Sequence, residues 1–372
     1  MSQERKDDRP AASSEQDKHH EPDTPVAPSG FQGLLSLATP LTRFVLYPMD
    51  QLKLVGSNLR QMVSKKFDPE KDIIDQDGKV ILITGGNAGL GKETVLQLAK
   101  HNPLRIYLAA RNSSKAQAAI DDIQKQLPQH ADIRHLPLDL SSFSSIRAAA
   151  REFTSRNERL DTLILNAGVM DPLPNRTEDG FEVDFGTNHL GHFLFTKLLL
   201  PTITKTAQET KSAGKPADVR IIVVASMAWQ MSPPLSTMLS TDSLLALNPP
   251  TRYGASKAAN IAFASELARR YPELSCVSLH PGVIITGLYD SLMATNPVAR
   301  VGLRIAKSIT VDEKQGSLNH LWTAGSERGA LRSGEYYTPV GVGGWKNKWA
   351  EDRELGRTLW EWSEEAIRDQ KK

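Results

Sequence analysis

From Lys79 onward, short apolar runs alternate with longer segments of helical period, and this alternation restricts the fold of the 372-residue chain more than any other feature. The runs "KVILIT" (79–84), "RIYLAA" (105–110), "IRHLPLDL" (133–140), "LDTLILNAG" (160–168), "VRIIVVAS" (219–226) and "LSCVSLHPG" (274–282) read as strands. Between them "KETVLQLAKH", "SKAQAAIDDIQKQL" and "FSSIRAAAREFTSR" read as helices. Strands this apolar, separated by helices, need cover on both faces, which a parallel sheet built from βαβ units provides. The expected fold class is therefore α/β, a doubly wound, mostly parallel, Rossmann-type sheet in three layers, forming one domain over residues 78–372. A seventh strand is expected at "GEYYTPV". No internal repeat exists beyond the βα alternation.

The segments upstream of that domain differ in kind. Residues 1–30 are polar, charged and punctuated by proline, a composition that predicts a disordered tail, and they hold no apolar core of a signal peptide. Residues 31–77 are expected to be an extension and a linker. "FQGLLSLATPLTRFVLYPMDQLKLVGSNL" is rich in large apolar side chains, yet Pro40, Arg43, Pro48, Asp50 and Lys53 interrupt it too often for the ~20 apolar residues of a spanning helix. Two readings stay open for 31–66: it packs on the domain, or it lies in a membrane interface with its apolar face down. "KKFDPEKDIIDQDG" reads as a polar linker. Localisation is expected to be cytoplasmic, with peripheral association to an intracellular membrane or lipid droplet under the second reading. A net charge of +2 leaves no footprint for nucleic acid. The single cysteine, Cys276, excludes an internal disulfide and reads as a buried structural thiol.

The first strand runs into "TGGNAGLGKE". Gly85, Gly89 and Gly91 punctuate the turn where a backbone must bend sharply, approach a pyrophosphate and begin a helix whose amides face the phosphates. Twenty positions beyond Gly91 stands Arg111, where an acidic residue would hold an unmodified ribose. A guanidinium there can engage a 2′-phosphate in fork geometry, which points to NADP over NAD; the alternative is a solvated loop arginine. Asp139, after the third strand, offers an acceptor for an adenine amino group. The small residues of "NAG" (166–168) would let a cofactor lie close. In "YGASK" (253–257), Tyr253 and Lys257 stand one helical turn apart on one face.

"TGGNAGLG", "NAG", "NHLGHF", a serine ending the fifth strand, "YGASK" and "HPGVIIT" occur in this order, and together they resemble the short-chain dehydrogenase/reductase superfamily. "DGFEVDFGTNHLGHFLFTKLLLP" is most similar to its retinol-dehydrogenase-like branch. The C-terminal "GEYYTPVGVGGWKNKWAEDRELGRTLWEWSEEAI" resembles filamentous-fungal members, many of them in secondary metabolism. The likeness is read over residues 78–366. It implies an NADP(H)-dependent oxidoreductase acting on an apolar small molecule, with Asn188, Ser226, Tyr253 and Lys257 as the catalytic set. Tyr253 would be the general acid or base; bringing a phenol from pKa 10 to neutral pH requires ~4 kcal/mol, about what one cation at ~4 Å supplies. Lys257 would be that cation, Ser226 would hold the substrate oxygen, and Asn188 would hold a water linking the lysine to solvent. Cofactor contacts are implied for Gly85, Asn87, Gly89, Leu90, Gly91, Arg111, Asp139, Asn166, Tyr253, Lys257, Val283 and Thr286, with Pro281, Gly282 and Thr286 near the nicotinamide carboxamide. No metal is expected: His189 and His192 sit at i, i+3, but no third ligand is in reach, so they read as satisfied helix histidines.

The sequence departs from the family pattern in two places. Leu165 replaces the first asparagine of the usual "NNAG". The segment between Ser226 and Tyr253, "MAWQMSPPLSTMLSTDSLLALNPPTR", is long and rich in methionine and leucine, and reads either as a core-packing loop or as a substrate lid. Alternatives to the reductase are a catalytically silent NADP-binding scaffold and an extended-type epimerase or dehydratase. An oligomer is compatible with everything read so far.

Overall fold

The computed structural model describes residues 67–212, 214, 218–282 and 312–368. The expected tail, the extension at 31–66, Val283 and Thr286 lie outside the described residues. The strands are β1 (Val80–Thr84), β2 (Arg105–Ala110), β3 (Ile133–Pro137), β4 (Thr162–Leu165), β5 (Arg220–Val224), β6 (Ser275–Leu279) and β7 (Tyr336–Tyr337). They form one seven-stranded sheet in the order β3-β2-β1-β4-β5-β6-β7. Every pairing is parallel. Strand order therefore reverses between β1 and β4, and the crevice beyond their carboxyl ends is the place where such sheets take ligands.

The longer helices among the described residues are α1 (Gly89–Ala99), α2 (Ser113–Gln126), α3 (Phe143–Arg156), α4 (His192–Ser212), α5 (Pro249–Arg270), α6 (Glu313–Gly325) and α7 (Arg353–Ala366). Alternation within the strands divides the core into two layers. Leu82, Tyr107, Leu163, Leu165 and Ile221 point to a layer shared with Phe153 of α3, Phe193 of α4, Phe263 of α5 and Trp360 of α7. Ile81, Ile83, Leu108, Ile164 and Val277 point to the opposite layer, with Val95 of α1, Ile120 of α2 and Leu321 of α6. Leu165 pairs with Val223 within the parallel ladder, so the departure from the family asparagine leaves the sheet register intact.

Local chemistry sets several helix ends. Asn112 caps α2 by accepting the Lys115 amide, and Asn248 caps α5 through Thr251. Pro249 then opens α5, where a missing N–H is costless. One expectation needs correction. The stretch after residue 66 is no linker: Phe67 packs on the core, Ile73 is buried against Gly325 of α6, and the Ile74 amide donates to the Gly325 carbonyl. Ile73 and Phe67 supply the apolar anchors that the charge of "KKFDPEKD" concealed, so the domain starts by Phe67.

Candidate active site

The turn after β1 is shaped by its glycines. Gly85 and Gly89 have φ of +68° and +51°, a region side chains avoid. At Gly91 a Cβ would overlap the Gly85 carbonyl oxygen and stand 2.7 Å from Asn166 Nδ2. The turn thus folds tightly onto the end of β4. Ala88, at the cap of α1, contributes no side-chain hydrogen bond. The first-turn amides of α1 are left for an anion, and the bare backbone beside them lets a pyrophosphate approach; these residues fit a dinucleotide. Asn87 and Leu90 lie half-buried in the same turn.

The carboxyl end of β1 is tied to the neighbouring strand by a polar chain. Thr84 Oγ1 accepts the amides of Asn166 and Ala167, both at 2.9 Å. Its own proton must therefore go to His192 Nε2, 2.9 Å away. That leaves the other ring N–H to donate to the Asn188 carbonyl at 2.9 Å. Burial pulls His192 down to about 3, so this ring is the neutral tautomer that the chain of bonds requires. Asn166 Nδ2 donates to the Thr84 carbonyl, while its Oδ1 lies 3.2 Å from His320 Nε2.

Asn188 sits on a single π-helical turn, Gly186–Gly191, that leads into α4. Such wide turns are found mostly at functional sites. A Cβ at Gly191 would overlap the Leu140 carbonyl, so the turn seats directly on the loop after β3. The Asn188 side chain accepts the Val169 amide and donates to the Val169 carbonyl, each at 2.8 Å, and also donates to Ser256 Oγ on α5.

Helix α5 brings the remaining groups in. It is buried on nearly every side, which its run of Gly, Ala and Ser permits. At Gly254 a Cβ would stand 2.5 Å from the Ala228 carbonyl, so this helix touches the 3₁₀ turn Met227–Met231 backbone to backbone. Ser226 caps that turn, with Oγ accepting the Ala228 amide at 3.2 Å. Tyr253 and Lys257 do share one face: Lys257 Nζ lies 5.5 Å from the Tyr253 ring centroid. Nζ donates to the Val224 carbonyl at 3.1 Å, and a Cβ at Gly168 would stand 3.3 Å from Nζ and 3.4 Å from Asn188 Oδ1. Burial pulls the Lys257 ammonium down to about 8, and only the ionised form of Asp184 works against that fall.

The structure thus gathers Asn166, Asn188, Ser226, Tyr253 and Lys257 around the ends of β1, β4 and β5. Arg111 and Asp139 stand farther along the same edge, after β2 and β3. Arg111 is exposed; Asp139 is half-buried and accepts the Ser141 amide and hydroxyl. Lys92, another cation near the turn, is paired with Asp122 of α2 at 2.5 Å. His189 bonds Ser363 of α7 through Nε2 at 2.9 Å. No group of three potential metal ligands occurs among the described residues. Cys276 is buried in β6, where burial pushes its thiol upward, as befits a structural thiol.

Sequence reasoning missed Thr84, Ser256, His320 and the partners of His192. Only the position of Thr84, a hydroxyl ending an apolar strand just before the glycines, could have signalled it. It also missed Glu182, Asp184 and Arg252, charged residues that are almost fully buried beside the site. The insert between Ser226 and Tyr253 is largely packed: Met227, Met238 and Leu244 are buried, while Met231 is exposed.

A doubly wound parallel sheet with a glycine turn at its switch point and a Ser, Tyr and Lys set on the adjoining edge defines a nucleotide-dependent oxidoreductase. This chain belongs to the short-chain dehydrogenase/reductase family, and the family model described as short chain dehydrogenase matches residues 79–297. A short-chain dehydrogenase/reductase of Armillaria gallica is 37% identical over 322 residues, covering 84% of this chain and 99% of that one. Human retinol dehydrogenase 13 is 34% identical over 340 residues, covering 86% of this chain and 94% of its own length. That share is more than residues 78–372 can supply, so the likeness reaches into the N-terminal extension. Among solved structures, an uncharacterised protein from Mycobacterium paratuberculosis superposes with a TM-score of 0.61 at 26% identity, over 82% of this chain and 98% of that one.

Proposed function

We propose that the protein is an NADP-dependent oxidoreductase that interconverts an alcohol and a carbonyl, working chiefly as a reductase on an apolar small molecule such as a secondary metabolite or a retinoid-like or lipid-like compound. The observation that carries this reading is the placement of Tyr253 one turn from a buried Lys257, on a helix pressed by Gly254 against the turn that Ser226 caps. Tyr253 gives its proton to the carbonyl oxygen. Lys257, held by the Val224 carbonyl, supplies the positive charge that favours the phenolate left behind. Ser226 steadies the same oxygen as charge develops on it. Asn188 holds the Val169 segment and, through it, the floor beside Lys257. NADP(H) would supply or accept the hydride, and Gly85, Asn87, Gly89, Leu90, Gly91, Asp139 and Asn166 would hold it, with Arg111 available to a 2′-phosphate. Exposed Met231 and Leu173 support an apolar substrate.

The test is oxidation of NADPH and of NADH by the purified protein with a panel of apolar aldehydes and ketones, followed by product mass and deuterium transfer from labelled cofactor. Stereospecific transfer supports the reading. Tight NADPH binding with no turnover across the panel would instead favour a silent scaffold.

A further inference from the structure

Immediately before Tyr253 the chain buries an ion pair. Arg252 is 2% exposed and Glu182 is fully buried, and Arg252 Nε lies 3.1 Å from Glu182 Oε1. Withdrawing two such charges from water costs several kcal/mol, and an apolar pair often fills the same space at no loss of stability. Stability alone therefore does not account for the pair.

The remaining contacts of the guanidinium do. Nη2 donates to the carbonyls of Asp171 at 2.8 Å and Leu173 at 2.9 Å, and Nη1 donates to the Leu247 carbonyl at 2.7 Å. One planar fork thus joins the start of α5 to the segment that follows β4 and to the end of the insert. The same segment is held at its other groups. Asn188 brackets both polar groups of Val169, Asp184 Oδ1 accepts the Asp171 amide at 2.9 Å, and Asp171 Oδ1 accepts the Leu173 amide. Glu182 Oε2 accepts the Phe185 amide at 2.8 Å, which anchors the pair to the short helix leading into the Asn188 turn. Burial, and then the neighbouring Glu182 charge, pushes Asp184 up to about 8.

This held wall ends in an exposed apolar side chain. The large apolar residues exposed among those described are Leu104, Leu173 and Met231, with Leu173 at 57% and Met231 at 47%. Leu104 lies at the amino end of β2, away from the carboxyl ends where the site is built. The other two flank residues 252–254: Leu173 through the Arg252 bond to its carbonyl, Met231 through a backbone carbon 3.2 Å from the Cβ position of Gly254.

We infer that Arg252 is a positioning residue that holds the 169–173 segment, and with it Leu173, across from Met231, so that the two side chains form the apolar lips of the substrate entrance and set the KM for bulky carbonyl compounds. The inference rests on the reductase reading above. A lysine at position 252 keeps the charge but has no planar fork to span Asp171, Leu173 and Leu247 together, so it is not a conservative replacement here.

The experiment compares the full chain with Arg252→Lys, with the double variant Arg252→Met and Glu182→Gln, which leaves no lone buried charge, and with Leu173→Ala. Hydrogen exchange of peptides spanning 169–173 is read beside kcat and KM for NADPH-dependent reduction of 1-phenyl-1,2-propanedione. In both Arg252 variants, exchange should quicken by about tenfold and the diketone KM should rise by about tenfold, as expected for lost bonds to a charged group, with kcat and the KM for NADPH changed by less than about threefold. Leu173→Ala should raise KM without changing exchange. Exchange and KM both at wild-type values in Arg252→Lys would overturn the inference, as would lowered thermal stability with an unchanged KM. If the wild-type protein reduces nothing, the reductase reading fails by itself, and the exchange measurement still decides whether Arg252 holds the segment.

Discussion

Lys257 faces the Val224 carbonyl, the open side of Gly168 and the ring of Tyr253, a setting in which its charge acts on one phenol rather than being dispersed in solvent. Replacing Tyr253 with Phe removes the transferable proton and leaves those contacts in place. Turnover should fall by about 10²- to 10⁴-fold while the Kd for NADPH, measured by fluorescence titration, stays within a fewfold. A Phe variant that kept most of its rate under saturating cofactor would remove Tyr253 from the reaction. On the proposed reading, cofactor choice would rest on a very different kind of residue. Arg111 is exposed, so its bonds to a phosphate are screened and worth less than buried ones. Arg111→Asp should still shift the NADPH-to-NADH ratio of kcat/KM by about 10- to 100-fold toward NADH, because it removes a fork and adds a like charge. Unchanged discrimination would mean that the 2′-phosphate is read by Ser113 or by Lys92 released from Asp122.

At the scale of elements, α5 organises the site. Its first turn carries Arg252, its second Tyr253 and its third Lys257, and its small residues let it approach both the Ser226 turn and β5. Gly254 sets the closest approach, because the obstruction to a Cβ is the Ala228 carbonyl of the backbone, which has no rotamer to yield. Gly254→Ala should cost about 1–3 kcal/mol in urea unfolding, as overpacking does. It should also lower kcat more than it weakens NADPH binding, since the displaced helix parts Tyr253 from Ser226. An alanine variant with wild-type stability and rate would show that the contact is easily relaxed. The far side of α5 is covered by α7. Trp360 packs on Phe263 of α5 at 6.0 Å and on Phe193 of α4 at 4.9 Å between ring centroids, and Ser363 bonds His189, next in sequence to Asn188. The C-terminal helix therefore supports the site from behind without entering it.

At the scale of the whole molecule, the fold holds several buried histidines neutral below pH 6.5, where imidazoles in water are mostly protonated. Burial pulls His189, His192 and His320 down to about 3 and His280 to about 4. Once unfolded they take up protons near pH 6.5, so between these values the unfolded chain binds more protons than the folded one and stability falls as pH falls. Each contributes a loss of ~2 kcal/mol between pH 7 and 5, which the raised pKa of Asp184, protonated in the fold, offsets for about one of them. Urea midpoints should accordingly drop steeply over that range, and a flat profile would mean that water or rearrangement relieves the burial. A second prediction concerns residues 31–66. No helix among the described residues is long and apolar enough to cross a membrane. Under the second of the two readings, in which the interrupted apolar segment lies in a membrane interface, Arg43, Lys53, Arg60, Lys65 and Lys66 would face anionic head groups at about 1 kcal/mol each. A chain beginning at Phe67 retains every described contact, so it should keep its activity on a small soluble ketone and lose flotation with anionic liposomes. Full-length protein that stays unbound, beside a shortened form that aggregates, would favour packing on the domain instead.

The sequence alone determined the sheet, the glycine turn and the pairing of Tyr253 with Lys257, because each depends on local spacing. Short, nearly continuous apolar runs bounded by helical segments choose buried strands, a helical turn sets Tyr and Lys four apart, and a φ near +68° selects glycine at position 85 whatever lies around it. The family resemblance named Asn188 and Ser226 beside that pair, but only the tertiary structure decided how the surrounding polar groups are linked. Thr84, Asn188 and His192 are linked across β1 and α4, and Arg252 meets Glu182 across some seventy residues of chain. No periodicity records a contact between distant segments, and charged residues such as Glu182 and Asp184 look solvated until the fold has buried them. The same limit applied to "KKFDPEKD", whose charges read as a linker while Ile73, the next residue, is buried in the core beside Gly325. Burial is a property of the assembled molecule, and in this protein burial gives Lys257 its lowered pKa, His192 its neutral ring and Arg252 its three carbonyl partners.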